Sequence, residues 1–417
     1  MKVYKFGGAS VKDAEGIRNV ANILNTSKND KVLVVISALG KTTNALEKVV
    51  SAIANKTGQS GDLLAAIKQY HLDILMNLQM NSSLAIQNEI ENLFLELDCI
   101  AEYGFEGQTY DFIYDQVVTF GELLSTKIVS YFLLGEGIKN QWIDSKNFII
   151  TDARHRDAKV KWVECEHMIG KRLKPLAEKN LIITQGFMGK GPSGETTTLG
   201  REGSDYSAAI FTYCLDAESL TIWKDVDGLM NADPRKFEDA QLISEISYRD
   251  TIELAYYGAS VIHPKTMQPL QAREIPLNVK SFLNPEKKGT LVHKSAAALE
   301  TACFIQKENQ MLISCRTKDF TFIVEDQLSQ ILSILAKEKL HVGIMQNSAL
   351  SFMVTTDDRQ NKDEIIAELE DAGFRPELKS NLQMLTVYNS SKMPASLNGK
   401  TILMQEQTDS SAHYLYE

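Results

Sequence analysis

The sequence predicts an α/β fold built on a mostly parallel sheet sandwiched by helices, followed by a small α+β module of ferredoxin-like plan. Three observations carry this expectation. Over residues 1–290, short β-branched runs alternate with longer helical patterns, as right-handed strand–helix–strand crossovers require. Val32-Leu33-Val34-Val35-Ile36 is apolar at every position, which suits a strand covered on both faces. At Asn284–Gly289 the chain turns polar, with Pro285 and Gly289, and a differently patterned segment begins.

Taken in order, Lys2–Tyr4 reads as the first strand and runs into Gly7-Gly8. Val32–Ile36 is the second strand and ends at Ser37. Residues 58–104 are leucine-rich and free of strand signals, so they read as a helical insertion. Gly121–Leu134 and Ser204–Leu215 read as helices, and Leu181–Thr184 and Leu220–Trp223 as further buried strands. Beyond the boundary, Gln310–Arg316 reads as a strand. Leu328, Ile331, Leu332 and Leu335 then mark one helix face. Leu350–Thr355, Lys362–Ala372 and Gln383–Tyr388 follow as strand, helix and strand. That β-α-β-α-β order predicts a sheet with two helices on one face, with a last strand at Lys400–Gln405. The domains expected are residues 1–290 and 303–417.

Composition excludes several classes. Of 417 residues, 44% are hydrophobic and 24% charged, which is ordinary for a globular chain. No apolar run approaches the ~18–20 residues of a spanning helix, and no membrane is expected. Forty-four Lys+Arg against 54 Asp+Glu leave a net charge of −10, which disfavours a nucleic-acid partner. Five scattered cysteines without CxxC spacing suggest a reducing, cytoplasmic setting.

In open α/β sheets ligands bind beyond the carboxyl ends of the strands, and the unusual segments fall there. Lys5-Phe6-Gly7-Gly8-Ala9-Ser10 follows the first strand. Paired glycines let backbone N–H groups approach an anion, and a following helix adds its positive end, although a plain strand-to-helix turn explains the segment equally well. Ser37–Asn44 repeats that chemistry after the second strand, with helix capping as the alternative. Gly186–Gly191 and Thr196–Asp205 predict a hairpin leading into a helix near Ser204. Arg201 offers a fork for a carboxylate, and Asp205 a partner for Lys5. Trp223–Arg235 sets Lys224 beside acidic and turn residues, which suits a nucleotide. In Tyr257–Thr266, His263 precedes a proline and is read as a structural residue. No Ser-His-Asp arrangement is present.

Together and in this order, these segments resemble aspartate kinase (aspartokinase) of the amino acid kinase family. KFGGAS at 5–10 is similar to the family's KFGGTS, with Ala9 in place of threonine. Phe120-Gly121-Glu122 is similar to its FGE, Leu199–Asp205 to its GRxGSD, Lys224–Arg235 to its DVDG…DPR, and Gly258–Thr266 to its GAxVxHPxT. The C-terminal order resembles an ACT module, a sensing unit of this family, and the chain after residue 290 has room for one such module and an extra strand rather than two.

The resemblance implies transfer of the ATP γ-phosphoryl group to the β-carboxylate of L-aspartate, with Mg²⁺ on the phosphates, in the first step toward lysine, threonine and methionine. It implies that Lys5 stabilises the transferring group and Asp205 orients Lys5. Gly7, Gly8 and Ser10 would line the phosphate site, and Lys224, Asp225, Met230 and Arg235 would contact ATP. Ser37, Thr43, Glu122, Arg201, Gly203 and Ser204 would surround aspartate, with Glu122 on its ammonium and Arg201 on a carboxylate. Many members carry tyrosine where this chain has Met230, and a phosphate-binding lysine where it has Ser260. Lys224 stands where threonine is common, and is expected to supply the displaced charge. A homodimer or dimer of dimers is implied, with lysine or threonine as the effector. Glutamate 5-kinase and acetylglutamate kinase are disfavoured by the joint FGE and GRxGSD pattern. A sensor without catalysis is disfavoured by the presence of Lys5, Glu122, Arg201 and Asp205.

Overall fold

The computed structural model describes all residues except 28–29, 81, 260–261, 320, 359–360, 391–392 and the side chain of Ala395. The chain divides into two compact units. The first comprises Met1–Leu229, Leu242–Ile252 and Val261–Ala298, and the second Met230–Gln241, Glu253–Ser260 and Leu299–Glu417. The second unit thus takes two short segments from within the first 290 residues.

An eight-stranded sheet organises the first unit. Its order is Asn140–Ile143, Leu181–Gln185, Val32–Ile36, Lys2–Phe6, Ser219–Lys224, Leu277–Ser281, Thr290–Val292 and Glu245–Ile246. Every neighbouring pair is parallel except Leu277–Ser281 with Thr290–Val292. The sheet is therefore mostly parallel, as the alternation of strand and helix predicts. All five residues of Val32–Ile36 are buried. Val32, Val34 and Ile36 join a core with Ile17, Leu46, Leu124 and Ile128 from flanking helices. Leu33 and Val35, equally buried, point to the opposite face because side chains alternate along a strand.

Residues 58–104 carry two helices, Ser60–Asn77 and Leu84–Tyr103. Their Ile67, Ile74, Ile90 and Phe94 join the same core. The stretch Tyr110–Gly135, made of helices Tyr110–Val118 and Phe120–Gly135, is, contrary to the sequence expectation, long and apolar enough to cross a membrane, but 78% of its most apolar 18 residues are buried inside the protein. Its apolarity reflects a core helix packed on several sides.

The second unit holds a six-stranded antiparallel sheet in the order Val342–Asn347, Ser351–Asp357, Cys303–Thr317, Phe374–Tyr388, Ser411–Tyr416 and Ile402–Gln407. Helices Glu325–Lys337 and Lys362–Asp371 lay Ile331, Leu335, Ile365 and Leu369 on Met311, Ile313, Cys315, Phe352 and Val354. Leu312 belongs to a separate cluster on the other face. Two helices on one face agree with the ferredoxin-like plan. The strand count does not. Val342–Asn347 was not expected, because only Ile344 is buried in it and its pattern carries no alternation. Ser411–Tyr416 was not expected either, and it is buried at every position.

Candidate active site

The parallel register brings the functional loops to one edge. Phe6 lies beside Ile36 and Trp223, and Ile36 beside Gln185. Gly7, Ser37 and Gly186 therefore leave the sheet beside Lys224, the last residue of its strand. They open into a cleft of about 500 Å³.

One wall carries the charges. Lys5 is 8% exposed and its Nζ lies 2.6 Å from Asp205 Oδ1, while Lys224 Nζ lies 3.4 Å from Oδ2 of the same carboxylate. Burial alone would raise the Asp205 carboxyl, but the two ammonium groups outweigh it and hold it below its ordinary value. Asp205 is placed there by the first turn of helix Gly203–Leu215, which packs against strand Lys2–Phe6.

Glu122 comes from the start of helix Phe120–Gly135 and is buried. Its Oε1 accepts the Ala38 N–H at 3.3 Å, and its Oε2 is buried without a hydrogen-bond partner among the described residues. Burial pushes this carboxyl up to about 8, opposed by the Ala38 N–H and the Lys5 charge. An unpartnered buried carboxylate oxygen is costly, so the position suits a ligand cation.

The close approach of two loops explains one glycine. A Cβ at Gly8 would stand 2.7 Å from Gly40 O and 2.8 Å from Ala38 O. Gly7 and Gly8 lead into a single 3₁₀ turn, Gly8–Val11, and the helix proper begins at Ala14 with Asp13 capping Gly16 N at 2.8 Å. The helix end expected directly after the glycines is therefore displaced by a turn and already capped. Ser10 is buried and its Oγ donates to Trp223 O at 3.5 Å.

Of the residues expected around aspartate, Ser37, Thr43, Glu122, Arg201, Gly203 and Ser204 all line the cleft. Of those expected at ATP, Gly8 and Lys224 line it as well. Gly7 and Ser10 sit in the loop beneath, and Asp225 is exposed at the strand's end. Met230 and Arg235 belong to the second unit, where Arg235 forks onto Asp233 at 2.9 and 2.7 Å. Ser260 lies outside the described residues. His263 caps helix Pro264–Ala272, its Nδ1 accepting the Lys265 N–H at 3.2 Å, in keeping with its structural reading. Burial first, then the neighbouring Lys265 and Arg201 charges, lower its imidazole.

Seven cleft residues were not among the expected site residues: Ala38, Gly40, Tyr114, Arg156, Phe187, Gly200 and Glu202. Three of these non-glycine residues have left-handed backbone, with φ of 63° at Arg156, 67° at Phe187 and 53° at Glu202. Such strain collects at functional sites. Glu202 sat in the variable position of the GRxGSD segment, where a signal was available. Arg156 had none, because a strained φ leaves no mark on a single sequence.

The amino acid kinase family pattern matches residues 1–281. The chain is 32% identical over 356 residues to lysine-sensitive aspartokinase 3 of Escherichia coli, covering 85% of this chain and 78% of that protein. It is 31% identical to the chloroplastic aspartokinase 1 of Arabidopsis thaliana, covering 88% and 67%. The chain belongs to the aspartokinases of the amino acid kinase family. Among solved structures, E. coli aspartokinase III in complex with aspartate and ADP superposes with a TM-score of 0.84 at 29% identity, covering 100% of this chain and 96% of that one. The lysine and aspartate complex of the same enzyme also gives 0.84. Clostridium acetobutylicum aspartate kinase shares the fold, with a TM-score of 0.78 at 24% identity.

Proposed function

We infer that this aspartokinase transfers the γ-phosphoryl group of ATP to the β-carboxylate of L-aspartate. The observation that carries the reading is Asp205 gripped by Lys5 and Lys224 in the same cleft as the buried, half-satisfied Glu122. A β-carboxylate oxygen attacks the γ-phosphorus, the bond to the ADP oxygen breaks, and 4-phospho-L-aspartate and ADP leave. The carboxylate is already ionised at neutral pH, so no general base is required. Catalysis is then positioning and charge stabilisation.

In this reading Lys5 meets the charge on the transferring group and Asp205 holds Lys5 in place. Lys224 supplies the cation that the Ser260 position lacks. Gly7, Gly8 and Ser10 shape the phosphate loop, while Asp225, Met230 and Arg235 serve the nucleotide. Glu122 takes the α-ammonium of aspartate, Arg201 a carboxylate, and Ser37, Thr43, Gly203 and Ser204 complete the pocket. Among the described residues no group of three or more His, Cys, Asp or Glu side chains is disposed to hold a metal. Mg²⁺ would arrive with the nucleotide, since it keeps several waters and takes few protein ligands. When bound it neutralises phosphate charge.

We further propose that residues 1–290 form the catalytic domain and 303–417 a regulatory or dimerisation domain of a cytoplasmic homo-oligomer. The similarity to a lysine-sensitive relative favours lysine over threonine as the effector. The test is ATP-dependent acyl phosphate formation, trapped with hydroxylamine, on aspartate, glutamate and N-acetylglutamate, with and without lysine. Activity on aspartate alone is expected. None on aspartate would remove the reading.

A further inference from the structure

Arg156 is held in the cleft by an arrangement that no role above uses. Its backbone has φ 63°, a conformation that non-glycine residues adopt at a cost. Asp115, 0% exposed, clamps it there. The two Asp115 carboxylate oxygens accept the Arg156 N–H at 3.2 and 3.1 Å, the Thr198 N–H at 3.1 Å, the Thr198 hydroxyl at 2.6 Å and His155 Nδ1 at 2.9 Å. A buried carboxylate thus ties the 155–156 turn to hairpin strand Thr196–Thr198.

The side chain this turn presents is a guanidinium 4.2 Å from the centre of the Tyr114 ring. It pairs with Glu47 at 3.1 Å and Asp111 at 3.5 Å. Both partners are substantially exposed, and pairs of that kind contribute little, so a ligand carboxylate can replace them. Tyr114 feels the charges of both Arg156 and Glu122. Arg156 lines the same cleft as Thr43 and Glu122, two of the residues expected around aspartate.

An amino acid carries its ammonium and α-carboxylate on one carbon, so whatever grips the α-carboxylate must stand beside the ammonium site. We propose that Arg156 is a specificity residue that binds the non-reacting α-carboxylate of the acceptor amino acid, in addition to Arg201. This rests on the aspartate kinase reading.

The test compares the full-length parent with Arg156→Gly and Arg156→Lys. The substrates are L-aspartate and its α-amide, which keeps the β-carboxylate but loses the α-charge. Glycine adopts a left-handed backbone without strain, so Arg156→Gly should melt no lower than the parent. Its KM for L-aspartate should rise about tenfold to a hundredfold, the range for a hydrogen-bonded charge, with kcat and the KM for ATP essentially unchanged. The parent's preference for aspartate over the amide should collapse in Arg156→Gly and return in part in Arg156→Lys, which keeps the charge without the fork. An unaltered preference in a folded Arg156→Gly protein overturns the proposal, as does a KM change accompanied by a lowered melting temperature. A parent inactive on aspartate overturns the aspartate kinase reading and this inference with it.

Discussion

Glu122 shows most directly what burial does to a single carboxyl group. Its carboxyl titrates near 8 rather than at the ordinary glutamate value because it is buried. The raised value means that the folded protein keeps the proton between about pH 4.5 and 8, where an unfolded chain loses it. Stability from this group is present below the ordinary value and is lost as pH rises through 8. Glu122→Gln should therefore outlast the parent in thermal melts above pH 8, by an order of 3–5 kcal/mol as an upper bound. It should also lose most affinity for aspartate. In the parent, the KM for aspartate should fall between pH 6 and 8.5 as the carboxylate forms, and in Glu122→Gln this dependence should be flat. A parent KM that rises over that range would show that the cation binds elsewhere.

Lys224 poses a sharper question at the same scale. It shares Asp205 with Lys5, so Lys224→Ala leaves the carboxylate with one of its two ammonium partners. A steep rise in the KM for ATP, or loss of turnover, is expected from steady-state kinetics. Near-normal kinetics would turn attention to Lys265, which pairs with Asp157.

At the scale of elements, the site exists because parallel strands in register deliver their loops to one edge. Val32–Ile36 was legible because a fully buried strand is apolar throughout, and Lys2–Phe6 and Ser219–Lys224 from the short apolar and aromatic runs inside them. The hairpin Met188–Lys190 with Thr196–Thr198 was legible from its glycines. The packing of the two glycine loops was not, since it depends on Gly8 meeting the carbonyls of Ala38 and Gly40, some thirty residues on. Gly8→Ala should force those loops apart at a cost of about 1–3 kcal/mol. The expected result is a modest drop in melting temperature with a large loss of kcat/KM, measured by calorimetry and the hydroxylamine assay. Loss of stability without loss of activity would show that the loop tolerates displacement.

At the scale of the whole molecule, the second unit is completed by pieces of chain from within the first 290 residues. Phe237 stacks on Phe304 at 5.7 Å, Phe304 N–H donates to Asn231 O at 2.7 Å, and Tyr257 packs on His413 at 4.6 Å. A chain ending at residue 298 would leave Phe237 and Tyr257 without these partners. It should melt below the full chain and aggregate on warming, as scanning calorimetry and light scattering would show. Equal melting would mean that segments 230–241 and 253–260 are held without the C-terminal sheet.

The sequence alone carries the mostly parallel sheet, the two-helix ferredoxin-like plan and the glycine-rich segments that hold Lys5, Arg201 and Asp205. Each of these is written in local patterns: apolar runs, helical spacing, and glycines beside charged residues at strand ends. Only the tertiary structure decided that Lys224 shares Asp205 with Lys5, that Glu122 is buried with one oxygen unpartnered, and that Arg156 enters the cleft on a strained turn held by Asp115. These depend on residues far apart in the chain meeting in a low-dielectric interior, where burial and pairing fix charge, and no local pattern records such meetings.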